Sequence, residues 1–226
     1  MYFWFKCTKL AIHLNWRQRG IILIQAKVTR AEGHQIVQTP QIAYAQRVAA
    51  KEMKTVSDLY CVIGASYMIG TNVDVTRGIA NGTIGKLYDI ITKPDAQIRI
   101  IKFENGNQCH ALYADEIISL IFKHSSTLQQ EATSFATLPV GCFPITTISH
   151  TVKCKLGANG SFFKVKVRQF PCVSSLVVTG HKIQGRTLDA VILGSLSKIH
   201  KTGRSGWIYV VLSRVKTLNG LFLLIC

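Results

Sequence analysis

Two polar clusters near the C-terminal end of the sequence are set against apolar segments. Residues 179–187 read T-G-H-K-I-Q-G-R-T and directly precede the apolar, strand-like residues 188–193. Residues 209–215 read Y-V-V-L-S-R-V, an apolar segment with a single Ser-Arg pair, and the strand-like residues 221–225 follow. Polar residues crowded at the ends of buried strands are how α/β folds present a ligand site. The sequence therefore predicts a ligand site built from these two clusters.

A third cluster of cations lies on a predicted β-hairpin, residues 145–170, around the G-A-N-G sequence at 157–160. Alternation with period two places apolar residues on one face of both strands and cations on the other. The cations are Lys153, Lys155, Lys164, Lys166 and Arg168. Like charges that face one another across strands are destabilising, which indicates an anionic partner for this two-stranded ribbon. The alternative is that lysine protects an edge strand from pairing with other chains.

The net charge indicates the class of partner. The chain has 27 Lys+Arg and 11 Asp+Glu residues, a net charge of +16. Residues 151–226 hold twelve basic residues and one acidic residue, whereas residues 58–150 hold six and eight. Such clustering is the electrostatic footprint of phosphate binding, so the expected partner is a nucleic acid. A soluble cationic surface with no particular partner is the alternative.

The cysteines predict neither a metal site nor a disulfide framework. All seven are scattered, and the sequence has no C-x-x-C and no H-E-x-x-H. They are predicted to be buried, reduced side chains in a reducing compartment. No apolar run approaches the roughly 20 residues that cross a bilayer, so no membrane partner is expected.

The two polar clusters resemble a known family. T-x-H-K-x-Q-G-x-T-L-D, followed by Y-V-x-L-S-R-V-x-x-L-x-G-L, resembles the last two motifs of superfamily-1 DNA helicases of the RecD and petite-integration-frequency type. Gly180 and Ile183 depart from the usual residues of the first motif without removing a reactive group. Residues 63–85 resemble the run that leads into an SH3-like insert in the same family. Within that run Asn72, Asn81 and Gly82 are interpreted as turn residues.

This resemblance implies a role for each polar residue. Arg214 would be an arginine finger, whose planar, permanently charged fork binds the γ-phosphate as negative charge develops on it. Gln184 and Gly185 match positions near the same phosphate. The residues that match the face contacting the phosphates of the DNA strand are Thr179, His181 and Lys182. The alternative for Arg214 is a structural ion pair.

The fold class implied is α/β, namely part of a second RecA-like domain with an inserted SH3-like small β-barrel. Residues 1–57 remain unassigned, 58–170 form the insert and hairpin, and 171–226 carry the last two motifs. Residues 188–193 and 221–225 are predicted to be neighbouring parallel strands, with residues 206–215 helical between them. Residues 20–28 predict a strand, and residues 41–53 predict a helix with one apolar face.

The phosphate-binding loop that the first RecA-like domain of such helicases carries has no counterpart in the sequence. The intact helicase uses ATP and Mg²⁺, but no G-x-x-x-x-G-K-[ST] occurs, so the Mg²⁺ ligands and the first RecA-like domain are expected outside this chain. Asp115-Glu116 imitates a magnesium-binding pair but is predicted to be a solvated acidic turn. The chain is expected to be a fragment, a truncated gene model or a degenerate copy.

Three functions follow from these patterns. The first is ATP-driven translocation on DNA and unwinding of DNA, with single-stranded DNA as the expected partner. The resemblance implies roles in DNA repair, recombination and telomere maintenance and a nuclear or mitochondrial location. The second is a non-catalytic nucleic-acid-binding module that keeps only the basic surface. A basic ribosome-associated protein is the third, but it would not account for the two motifs. An in-frame phosphate-binding loop upstream in the genome would favour the first.

Overall fold

The computed structural model describes residues 20–30, 39–53, 55–124, 135, 137–155, 162–176, 187–193 and 206–223. These residues divide into two compact units, one within residues 20–175 and one within residues 176–223. Most of the described structure is strand, arranged in four sheets with few helices. Within the described residues, no helix combines the length and apolarity needed to span a bilayer.

Within its described residues, the first unit contains three sheets and one α-helix, α1 (Thr39–Glu52). Its strands are β1 (Ile22–Gln25), β2 (Lys27–Arg30), β3 (Asp58–Cys61), β4 (Ser66–Ile69), β5 (Ile84–Thr92), β6 (Arg99–Lys102), β7 (Gln108–Tyr113), β8 (Ile117–His124), β9 (Cys142–Ile145), β10 (Ile148–Lys155), β11 (Phe162–Gln169) and β12 (Cys172–Ser174). Short 3₁₀ turns cover Val75–Arg77 and Ala114–Glu116.

A strand from the unassigned N-terminal segment changes the predicted architecture. β1 lies between β3 and β7, antiparallel to β3 and parallel to β7, and β6 completes this four-stranded sheet. Ile24, Leu59 and Leu112 of β1, β3 and β7 pack into the same hydrophobic core as the five-stranded sheet, but these strands hydrogen-bond with one another in a separate sheet. The described residues therefore show no closed SH3-like barrel, but open sheets.

The five-stranded sheet holds the largest hydrophobic core. Its strands run in the order β12-β4-β5-β8-β9, with every neighbouring pair antiparallel. Phe122, Phe143 and Phe170 are fully buried in this core, and the rings of Phe122 and Phe143 lie 6.0 Å apart. Gly85 allows the close approach, since a Cβ there would lie 2.9 Å from Phe122 Cβ.

The three-stranded sheet is covered on one face by α1. Its order is β10-β11-β2, and both pairs are antiparallel. Ala45 and Ala49 of α1, and Met53 directly after it, are buried against apolar side chains of β10 and β11. These three residues recur every four positions, which places them on one side of the helix. The predicted helix and its apolar face are confirmed.

The turns follow the local sequence. β6 and β7 form a hairpin, in which Phe103 N donates to Asn107 O at 2.7 Å and Gly106 has a φ of 80°. At the predicted turn, Asn81 N donates to Asn72 Oδ1 at 2.9 Å, and Gly82 has a φ of 95°. A positive φ is the conformation that glycine adopts without steric cost. The interpretation of Asn72, Asn81 and Gly82 as turn residues is confirmed.

The second unit is a small α/β arrangement. In its described part, β13 (Val191–Leu193) and β14 (Leu221–Leu223) pair in parallel, and α2 (Gly206–Leu212) lies between them in the chain. Val211 of α2 is buried with Leu193 of β13. The predicted parallel pair and its connecting helix are confirmed. Gly220 has no room for a side chain, since a Cβ there would lie 2.1 Å from the backbone oxygen of Asp189.

Candidate nucleic-acid interface and arginine site

One face of the three-stranded sheet carries the cations that the alternation predicts. Lys153 of β10 lies directly opposite Lys164 of β11, Thr151 opposite Lys166, and Ser149 opposite Arg168. The three lysines are exposed and Arg168 is half-buried. We call this surface, defined by Lys153, Lys164, Lys166 and Arg168, the cationic face. The predicted orientation of these four side chains is confirmed, and their role in binding DNA stays a prediction.

The core fixes which way the cations point. Val152, Val165 and Val167 are 4%, 0% and 1% exposed, because they pack against α1. Successive strand residues point to opposite faces, so burying these valines forces their neighbours into water. A register slip of one residue would bury three lysines under α1. The packing of the core thus fixes the strand register, and the register in turn fixes the outward direction of the cations.

The predicted ribbon has a third strand. β2 pairs with β11, with Thr29 opposite Lys166 and Lys27 opposite Arg168, so the two-stranded ribbon of the sequence analysis is corrected to a three-stranded sheet. Lys27 and Thr29 were missed as members of this surface. The signal was present in the alternation of residues 27–30, K-V-T-R. A lone four-residue pattern does not reveal which distant strand it joins.

Lys155 stands at the end of β10. Its backbone pairs with Phe162 at the start of β11. Its side chain lies outside the described part of the structure.

The four defining cations of the cationic face form no ion pair among the described residues. Among the described residues, the ion pairs involve Lys27 with Asp115, Arg77 with Asp74 and Lys216 with Asp189, and none involves the four cations of this face. Lys153 and Lys164 lie directly opposite each other on neighbouring strands, and like charges in this arrangement destabilise a sheet. Binding a polyanion would relieve this repulsion, so the surface is electrostatically suited to phosphates.

The second candidate site is Arg214, which follows the last turn of α2. Its Nε donates to Val210 O at 3.2 Å, and its Nη2 donates to Ser213 Oγ at 3.0 Å. The guanidinium is therefore folded back onto its own helix end. No described acidic side chain forms an ion pair with it, which does not favour the structural-pair alternative.

The backbone brings the two polar motifs together. Leu188 N, directly after the first polar run, donates to Arg214 O at 2.8 Å, and Lys216 N donates to Leu188 O at 3.0 Å. Lys216 Nζ also lies 2.6 Å from Asp189 Oδ1. This ion pair is exposed and contributes little to stability. The two hydrogen bonds fix the position of Arg214 relative to the strand that follows the first motif.

Five predicted site residues cannot be placed. Thr179, His181, Lys182, Gln184 and Gly185 lie outside the described residues. Their assigned contacts with nucleotide and DNA stay predictions.

The acidic pair has a structural role. The Glu116 carboxylate accepts hydrogen bonds from the backbone N–H groups of Tyr113 and Gln97, and Asp115 lies 4.0 Å from Lys27. These contacts agree with the interpretation as a turn. No group of three or more His, Cys, Asp and Glu suited to a metal occurs within the described residues.

Known proteins share sequence with most of this chain. It is 28% identical to the ATP-dependent DNA helicase Pif1 of Psychrobacter sp. (strain PRwf-1) over 186 residues, 77% of this chain and 27% of the relative. It is also 28% identical to the ATP-dependent DNA helicase PIF1 of Xenopus laevis over 160 residues, 70% of this chain and 18% of the relative. The chain thus spans about a quarter or less of these curated relatives. No family model matches it.

A solved structure shares the fold. The crystal structure of Pif1 helicase from Candida albicans matches with a TM-score of 0.53 and 17% identity, covering 98% of this chain and 43% of that chain. The mixed sheets and few helices of this chain agree with that match. The resemblance to helicases of the petite-integration-frequency type, which the motifs predicted, is confirmed.

Proposed function

We propose that this chain is a portion of an ATP-dependent DNA helicase of the petite-integration-frequency type and that its cationic face binds a DNA single strand. The observation that carries the proposal is the cationic face, four cations held outward by a buried core and lacking described acidic partners. Phosphates contacted by Lys and Arg supply most of the affinity in sequence-independent binding. DNA is the nucleic acid proposed here because both curated relatives are DNA helicases.

The proposal assigns domains by resemblance. Residues 58–170 would correspond to the SH3-like insert with its hairpin, and residues 171–226 to the end of the second RecA-like domain. Residues 1–57 would support the insert through β1, β2 and α1. The proposal includes a nuclear or mitochondrial location. It also includes a role in DNA repair, recombination or telomere maintenance.

Arg214 is proposed to act on a nucleotide held by a first RecA-like domain from outside this chain. Its fork would leave Ser213 and Val210 and donate two parallel hydrogen bonds to phosphate oxygens. Negative charge on those oxygens grows as the terminal phosphoryl group transfers, so the arginine stabilises the transition state. ATP supplies the phosphoryl group when bound. Mg²⁺ would be held by the first domain, since the described residues contain no group of three or more His, Cys, Asp or Glu suited to a metal.

The alternative is a non-catalytic binding module. The cationic face favours it as well, because that face is complete without nucleotide and sits on a unit with its own cores. A fusion behind the first domain of a related helicase separates the two functions. DNA-stimulated ATP hydrolysis in the fusion supports the helicase, and its absence in a folded, DNA-binding fusion supports the module.

The binding proposal is tested by titrating the chain with a labelled single strand over a range of salt concentrations. The face variant replaces Lys153, Lys164, Lys166 and Arg168 by Gln. The matched control replaces four exposed lysines elsewhere on the same unit, Lys86, Lys93, Lys102 and Lys123, and removes the same charge. On single strands log affinity changes by about 0.7 per log salt for each neutralised phosphate, so the face variant should lower the slope by up to about 3.

The control variant should keep a slope close to that of the parent chain. If both variants lower the slope equally, net charge alone governs binding and the cationic face is not the site.

A further inference from the structure

An exposed aromatic ring stands at one end of the cationic face. Phe162, the first residue of β11, is 70% exposed, although it lies in a strand. The next residue, Phe163, points to the opposite side, where it packs with the core under α1 and lies 4.8 Å from the Arg30 guanidinium. The two neighbouring phenylalanines thus have different surroundings, and burial in the core accounts only for the second.

Phe162 is in line with the cations. It shares the outward side of β11 with Lys164, Lys166 and Arg168, because these four residues alternate with the inward Phe163, Val165 and Val167. Side chains two residues apart on a strand are about 7 Å apart. The row therefore presents one ring and then three positive charges at regular intervals.

We propose that Phe162 is a stacking platform for one base of a single-stranded nucleic acid whose phosphates run along Lys164, Lys166 and Arg168. The inference rests on the proposed binding of a strand by this face and names the form of the ligand. Surfaces that bind single strands without sequence preference combine a cationic track with aromatic rings on which bases stack. A continuous duplex keeps its base faces covered by neighbouring base pairs, so it can use the cations but not the ring.

The proposal separates two contributions to affinity. The cations contribute a salt-dependent term that does not need the bases. The ring contributes a term that needs an unstacked base and is tolerant of sequence, because every base has a π-face. Removing the ring should therefore weaken binding to a normal strand and leave a strand without bases unaffected.

The test measures fluorescence anisotropy with two labelled oligonucleotides of equal length. One is a single strand of mixed sequence, and the other is an abasic strand with the same phosphates. Phe162→Leu removes the aromatic face but keeps an apolar side chain, and Phe162→Tyr restores a ring. Tyr88→Leu is the control, since Tyr88 is a half-exposed aromatic on β5 of another sheet.

Phe162→Leu should bind the normal strand about tenfold more weakly, equivalent to about 1.4 kcal/mol, with an unchanged salt slope. Its affinity for the abasic strand should equal that of the parent chain. Phe162→Tyr and Tyr88→Leu should bind both strands like the parent chain. Circular dichroism of each variant checks that the fold is retained.

Each other outcome overturns the inference. An equal loss on both strands would mean that Phe162 supports the fold of the hairpin and does not contact a base. An unchanged affinity of Phe162→Leu for the normal strand would remove the stacking role and leave the proposed strand binding intact. If the parent chain binds neither strand, the proposed function itself is wrong, and the stacking role with it.

Discussion

Arg214 is the residue on which the catalytic part of the proposal depends. Its guanidinium donates to Ser213 Oγ and Val210 O, groups of its own helix end. These are single hydrogen bonds at a half-exposed site, so a phosphate could replace them at small cost. The resting contacts are compatible with a finger that engages only when nucleotide is present.

Hydrolysis by the chain alone and in a fusion tests this residue. The unfused chain should show no ATPase activity above background. In a fusion that hydrolyses ATP, Arg214→Ala should lower turnover on the order of 10³-fold, and Arg214→Lys should not restore it, because lysine lacks the fork.

Lys216→Gln is the matched control for Arg214, since it removes a nearby exposed cation that pairs with Asp189. Its turnover should stay close to that of the parent fusion. Near-normal turnover of Arg214→Lys would show that only charge matters and would contradict the finger assignment.

Asp58 provides a pH-dependent prediction. Burial raises the pKa of Asp58 above its ordinary value of 3.8, and a hydrogen bond from the Gln25 side chain lowers it to a lesser extent. The folded state therefore keeps this proton to a higher pH than the unfolded chain does. Ionising Asp58 costs stability as the pH rises from the unfolded to the folded pKa, and the full cost is present at neutral pH.

Asp58→Asn should accordingly raise the free energy of unfolding at pH 7, with a smaller gain at pH 4. Urea unfolding at both pH values measures the difference. Glu104→Gln, which changes an exposed acid in a turn, should show no such trend. A gain for Asp58→Asn that is independent of pH would contradict the assignment to ionisation.

At the scale of elements, α1 decides which face of the three-stranded sheet meets water. Ala49 of α1 is fully buried where the helix packs on the sheet, whereas Ala43 of the same helix is exposed. Ala49→Asp would place a carboxylate in this core, at a cost of several kcal/mol. Ala43→Asp should change the free energy of unfolding by less than about 1 kcal/mol.

Urea unfolding of the two alanine variants measures this difference directly. Equal effects would mean that α1 does not pack on β10 and β11 as described. Loss of the parent's DNA affinity in Ala49→Asp alone would further connect the packing of α1 to the cationic face.

Local patterns predicted the elements better than their partners. The alternation of residues 152–154 and 163–168 correctly indicated which side chains are buried, and the apolar positions of residues 45, 49 and 53 indicated the helix face. The pairing of β1 with β7 could not be predicted, because it joins residues more than 80 positions apart and depends on three strands at once. The described strands accordingly pair in separate sheets, and no closed barrel occurs among them.

The candidate site was predictable to the same degree. The positions of Lys153, Lys164, Lys166 and Arg168 follow from period two. The addition of β2 and the exposure of Phe162 depend on tertiary packing and required the structure.

At the scale of the whole molecule, part of the net charge of +16 is concentrated on one surface, the cationic face. Residues 151–226 carry most of the excess, and their described part supplies the four cations of the cationic face. Other exposed lysines, such as Lys86 and Lys123 on β5 and β8, belong to a different sheet. The location of the cations, and not the net charge alone, is therefore expected to determine where DNA binds.

Acetylation of lysines, followed by mass spectrometry with and without single-stranded DNA, tests this central claim most directly. We expect DNA to slow the modification of Lys153, Lys164 and Lys166 strongly, while Lys86 and Lys123 react at unchanged rates. Low salt should be used, because added salt weakens contacts with phosphates. Equal slowing at all five lysines, or slowing at Lys86 and Lys123 alone, would contradict the assignment of the cationic face as the DNA surface.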